Sequence, residues 1–85
     1  MKIKESYQIM NVMNNYVLID TSNVNSSIIK LNDTSKDIVE LLIKDDSKED
    51  ILKYMLDNYD IDIDTLNSDY DSLIESLRKA NAIDD

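Results

Sequence analysis

Apolar and polar positions alternate in the first third of the chain and recur at helical spacing in the rest. Tyr7 to Val12 is a short β-prone run. Asn14-Asn15 follows, and Asn tolerates the positive φ of a tight hairpin turn. Tyr16-Val17-Leu18-Ile19 is a continuous β-branched and aromatic run, suited to a central strand. A polar loop spans Asp20 to Ser26, and Ser27 to Leu31 predicts a third strand. The three strands form an antiparallel meander.

The remaining pattern predicts three helices. Asn32 or Thr34 can cap the first, and Asp33 and Asp37 suit its positive N-terminus. Ile38, Leu41 and Leu42 share one face, and Asp45-Asp46 ends the pattern. Ser47 with Asp50 starts the second helix in the manner of a capping box. Its stripe is Ile51, Leu52, Met55, Leu56 and Tyr59. The connector from Asp60 to Asp64 offers Asp62 or Asp64 as the next cap, with Ile61 and Ile63 as anchors into the core. Leu66, Tyr70, Leu73, Ile74 and Leu77 form the third stripe, and that helix frays near Asn81. The fold class is α+β: a winged-helix-like βββααα arrangement, one domain over residues 1–85.

Composition narrows the chemistry. The 85 residues contain no Cys, His or Gly. Disulfides, thiolate metal sites, imidazole acid/base catalysis and glycine phosphate loops are therefore excluded. The formal charge is −9, and all of it lies in the second half. Five Lys balance five acids over residues 1–44, whereas four bases face thirteen acids over residues 45–85. Such a surface repels nucleic-acid phosphates and anionic lipid and attracts basic partners. No apolar run approaches the roughly 20 residues that span a bilayer. Met1-Lys2-Ile3-Lys4-Glu5 has no apolar segment behind it, so it is not a signal peptide, and a cytoplasmic location is expected.

Each candidate motif has a plainer reading. Asp60-x-Asp62-x-Asp64 resembles the start of a calcium loop, but Thr65 and Asp71 stand where Gly and Glu are needed. The second and third helices resemble a DNA-binding helix-turn-helix. From Asp60 to Lys79, however, six acids outnumber two bases, so phosphates would be repelled. The remaining carboxylates fall at cap and solvent positions, with no pocket to raise a pKa. Among the tyrosines only Tyr54 is expected to be exposed. No catalytic residue, metal site or cofactor site is expected.

The exception is the third strand. It carries Ile28 and Ile29 with only Lys30 as a gatekeeper, and such an edge is either a folding hazard or a docking slot for an added strand. On a wheel of about 100° per residue, Ile74 falls about 80° from Leu66, at the margin of the third helix's stripe, beside Asn67 and Arg78. If that margin faces the strand edge, the two form an apolar-floored groove for an extended peptide.

These residues resemble the PqqD family. Leu31-Asn32-Asp33-Thr34 with Ile38 and Leu41-Leu42 looks like its first-helix start. Ser47-x-x-Asp50-Ile51 resembles its second-helix start, and Tyr59-Asp60-Ile61-Asp62 its connector. Asp69-Tyr70-x-x-Leu73-Ile74-x-x-Leu77 resembles its third helix, and Ala80-Asn81-Ala82-Ile83 its C-terminal segment. Asp45-Asp46 and Asn81 replace glycines usual in the family. The resemblance implies a non-catalytic recognition element that binds the leader segment of a ribosomally made, modified precursor peptide. The leader would add to the third strand and be delivered to a radical SAM enzyme or a leader peptidase. The expected peptide-binding residues are Ile28, Ile29, Lys30 and Leu31 on the strand, with Asn67, Tyr70, Asp71, Ile74 and Arg78 on the helix. Two alternatives remain: a regulatory winged-helix module that binds another protein, and a homodimer through the same strand edge.

Overall fold

The computed structural model describes residues 2–23 and 28–84. In chain order its elements are β1 (Lys2–Ile3), β2 (Tyr7–Val12), β3 (Asn15–Asp20), β4 (Ile29–Leu31), α1 (Asp33–Ile43), α2 (Lys48–Asn58), α3 (Ile63–Lys79) and β5 (Ile83–Asp84). The meander expected from the alternation is the antiparallel sheet β2-β3-β4. The three helices follow it, as the α+β pattern requires.

The hairpin turn lies one residue earlier than the Asn pair suggests. Val12 pairs with Asn15, so the two-residue loop is Met13-Asn14, with φ of 52° and 68°. Both central residues of a type I′ turn need positive φ. Asn14 meets that readily, whereas Met13 adopts it with its side chain 89% exposed. The period of two then decides the faces. Tyr7, Ile9, Tyr16, Leu18, Ile29 and Leu31 point to the helices, and Gln8, Met10, Val12, Val17, Ile19 and Lys30 point away. Ser27, expected as the start of the third strand, lies outside the described residues.

Each helix begins on a side-chain cap. Asn32 accepts from the Ser35 amide at 2.8 Å, Ser47 from the Asp50 amide at 3.1 Å and Asp62 from the Thr65 amide at 2.9 Å. Two of the three helices end on a left-handed residue other than glycine. After α1, Asp45 takes φ 64° while its amide donates to Leu42 and the Asp46 amide to Leu41. After α3, Asn81 takes φ 59° while its amide donates to Arg78 and the Ala82 amide to Leu77. Both are Schellman endings, a geometry that Asn and Asp tolerate best after glycine.

The helical stripes meet the inner sheet face in one core around Leu18, Val39, Ile51, Met55, Leu66 and Leu77, all at most 1% exposed. Three expectations about this core change. Leu56 is 40% exposed and Ile63 is 44% exposed, so neither anchors anything, although Ile61 does pack against the core. Ile74, placed by periodicity at the stripe margin, is 5% exposed and belongs to the core.

A second small sheet goes beyond the sequence pattern. β1 pairs with β5 in antiparallel register, Ile3 opposite Ile83. The Lys4 amide donates to the Ala82 carbonyl at 2.9 Å, and the Tyr7 hydroxyl to the Ala80 carbonyl at 2.9 Å. Ala82 and Ile83 are buried, so the segment beyond Asn81 is tied down rather than frayed.

Candidate functional site

The hydrogen-bond phase of the sheet follows from the hairpin. In a two-residue loop the closing pair, here Val12 and Asn15, exchanges both of its backbone bonds. Along β3, alternation then turns residues 15, 17 and 19 toward β2 and residues 16, 18 and 20 toward β4. Tyr16 stands opposite Leu31 and Leu18 opposite Ile29, so Ile29 and Leu31 spend their backbone groups on β3. Lys30 turns its N–H and C=O groups the other way, and Ile28 precedes the strand. No strand pairs with that side of β4 among the described residues. Asn32 closes the edge, because its amide donates to the Ser35 hydroxyl and its carbonyl accepts from the Lys36 amide.

The expected residues therefore divide by place. Lys30 turns its backbone to the open side of β4, and Ile28, just before the strand, is 64% exposed. Ile29 is half-buried and Leu31 buried, both on the helical face. All four were expected to bind peptide along the strand. The ladder reserves Ile29 for β3.

On α3, four of the five expected residues gather in one place. Tyr70, Asp71, Ile74 and Arg78 line an open cleft of about 370 Å³ together with Glu75 and Lys48, the first residue of α2. Asn67 is half-buried on the same side of the helix but does not line it. Lys48 escaped sequence reasoning, since nothing in a charged first-turn residue says which neighbouring helix it will reach. Its Nζ lies 3.3 Å from Asp71 Oδ1 and 5.2 Å from the centre of the Tyr70 ring. Burial, followed by the charge of Asp71, pushes the Tyr70 hydroxyl's pKa up, so it stays protonated at neutral pH. No β4 residue lines this cleft.

A second cleft of about 180 Å³ lies on the opposite side of α3. Asp69 and Ser72 face Asn32, Thr34, Ser35 and Ile38 there, at the junction of β4 with α1. The helix thus carries one recess toward α2 and a smaller one at the end of the open strand.

Asp20 and Asp62 are both held below the usual carboxylate range, by hydrogen bonds from Ser22 and from Thr65 respectively. Asp62, the middle acid of the calcium-like motif, is the α3 cap. The strongest displacement belongs to Tyr59, whose hydroxyl donates to Asp37 and joins the end of α2 to α1. That bond, with burial, pushes the Tyr59 pKa up to about 12 from 10.0. Its folded pKa exceeds the unfolded one, so its contribution is complete below pH 10 and lost as pH rises toward 12. Denaturant unfolding across this window should show stability falling with pH. Tyr59→Phe should reduce the slope, and Tyr7 and Tyr70, also raised by burial, should leave a residual one.

The sequence model of the family described as "Coenzyme PQQ synthesis protein D (PqqD)" matches residues 15–83. No curated protein matches. Two solved structures share the fold. "TbiB1 in Complex with the TbiA(beta) Leader Peptide" is 20% identical with a TM-score of 0.78, covering 96% of this chain and 93% of that one. "Lasso peptide synthetase B1 complexed with the leader peptide" is 22% identical with a TM-score of 0.74, covering 95% and 92%.

Proposed function

Because the chain belongs to the PqqD family, we propose that it binds the leader segment of a ribosomally made precursor peptide and presents it to a modifying enzyme, with no catalysis of its own. The observation that carries this reading is the open side of β4. Lys30 turns its backbone groups to that side, where no strand pairs among the described residues, and the two similar folds were both solved with leader peptides. An extended leader would bond to those groups as a fourth strand. Its alternate side chains would turn toward the helical layer and supply specificity. The recess at the β4–α1 junction is nearest the end of that strand, whereas the Tyr70–Ile74 cleft lies on the other side of α3.

The receiving partner is a radical SAM enzyme or a leader peptidase. The net charge carried by residues 45–85 favours a Lys- or Arg-bearing leader, or a basic enzyme surface, with binding that weakens as salt rises. The test is an NMR titration of the labelled chain with a synthetic leader from a small peptide encoded beside its gene. Saturable shifts at residues 28–31 and along α3 support the reading. Silence with the leader alone, and again with the neighbouring enzyme present, overturns it in favour of a regulatory protein-binding module.

A further inference from the structure

The sheet has a second open edge, and it is less protected than the first. β2 ends the order β2-β3-β4, so its outer side is unpaired among the described residues. Its six residues, Tyr7-Gln8-Ile9-Met10-Asn11-Val12, contain no charge and no proline, and the register with β3 runs without a bulge from Tyr7 to Val12. Edge strands are normally blocked by one of those devices. β4 is short and carries Lys30, whereas β2 is twice as long and carries nothing of the kind.

The hairpin phase says which groups are available. Gln8, Met10 and Val12 bond inward to β3, in keeping with the Ser6 carbonyl accepting from Thr21. Ile9 and Asn11 therefore turn their N–H and C=O groups outward. We infer that β2 pairs antiparallel with β2 of a second copy of this chain, Ile9 opposite Asn11 of the other copy and the reverse, about a twofold axis through Met10.

Three observations favour a second copy. The register is self-complementary: each Ile9–Asn11 pair exchanges two backbone bonds, and side chains paired across the axis stay on the same face. Met10 then meets its own counterpart and Gln8 meets Val12, joining two outer faces that already expose Met10 at 45% and Val12 at 48%. The charge distribution agrees as well. The outer face over β2 and β3 is uncharged, and the net charge sits in the sequence beyond residue 44, so β2 offers approach with little like-charge repulsion. β4 stays free in such a dimer, so each copy could still accept an added strand.

One strand pair buries less than the roughly 1,200 Å² of a stable interface, so association is weak and concentration-dependent. Sedimentation equilibrium and NMR of the full chain, from about 20 µM to about 1 mM, test it in the range where such small contacts register. The apparent mass should rise from 9.8 kDa toward twice that value, with concentration-dependent shifts at the Ile9 and Asn11 amides. Met10→Lys places two like charges on the axis at an exposed site and should hold the protein monomeric, while Met10→Leu should associate as the native chain does. A single 9.8 kDa species throughout, association indifferent to Met10→Lys, or shifts centred on Lys30 would each overturn the proposal.

Discussion

Lys30→Pro is expected to weaken leader binding about tenfold to a hundredfold while leaving the fold in place. The backbone N–H that proline removes is one that β3 does not use, because Val17 and Lys30 form the non-bonded pair of the ladder. Proline is tolerated on edge strands where its missing donor faces outward. The leader would lose that donor and bring a carbonyl to an edge that cannot answer it, a deficit of about 1–3 kcal/mol. Lys30→Ala keeps the backbone and should retain most of the affinity. Calorimetric titration of both variants, with thermal melts as the control, makes the comparison. Native affinity in Lys30→Pro would mean that the peptide does not add to β4. Ile29→Pro should behave oppositely, since it removes a donor that the sheet itself needs.

Ile74→Asp should destabilise the whole domain. The side chain is 5% exposed within the core cluster, and a carboxylate there has no partner to offset its lost hydration. The cost is about 3–4 kcal/mol, a large share of the roughly 4–13 kcal/mol expected for 85 residues. Burial raises the pKa of the introduced acid in the folded state. The penalty is therefore complete at neutral pH and relaxes as pH falls toward its unfolded value of about 3.9. Urea unfolding at pH 7 and again near pH 4.5 should show a smaller deficit in acid. Ile74→Val, at about 0.5–1.5 kcal/mol, supplies the milder change for binding studies on the α3 cleft. Near-native stability of Ile74→Asp would put this residue outside the core, at the stripe margin where the helical wheel places it.

That disagreement shows what the sequence could and could not convey. The three strands and three helices are written in alternation and in 3.6-residue spacing, and side-chain caps mark the start of every helix. A wheel, however, assumes that burial falls off evenly from a stripe's centre. Ile74 is buried although the wheel puts it at the margin, and Leu56 and Ile63 are exposed although the pattern turns them inward. The hairpin was legible, but its phase was not: two adjacent Asn residues offered two turns, and the chain used Met13-Asn14. That single-residue choice decides which backbone groups face the free edges. Strands of two residues have no period at all, so the β1–β5 ladder left no trace. Helical spacing did group Tyr70, Asp71, Ile74 and Arg78, which share one cleft. Its partner Lys48 depends on how α2 docks, which no local pattern encodes.

The β1–β5 ladder also makes the domain nearly circular. Lys2 stands opposite Asp84, so the path of the backbone returns to where it set out. A linker of a few residues could join those positions, and new ends opened at the exposed Met13-Asn14 loop would leave every strand and helix whole. For the same reason the domain can be grafted into another polypeptide at a single point, entering and leaving side by side like a bead tied into a string.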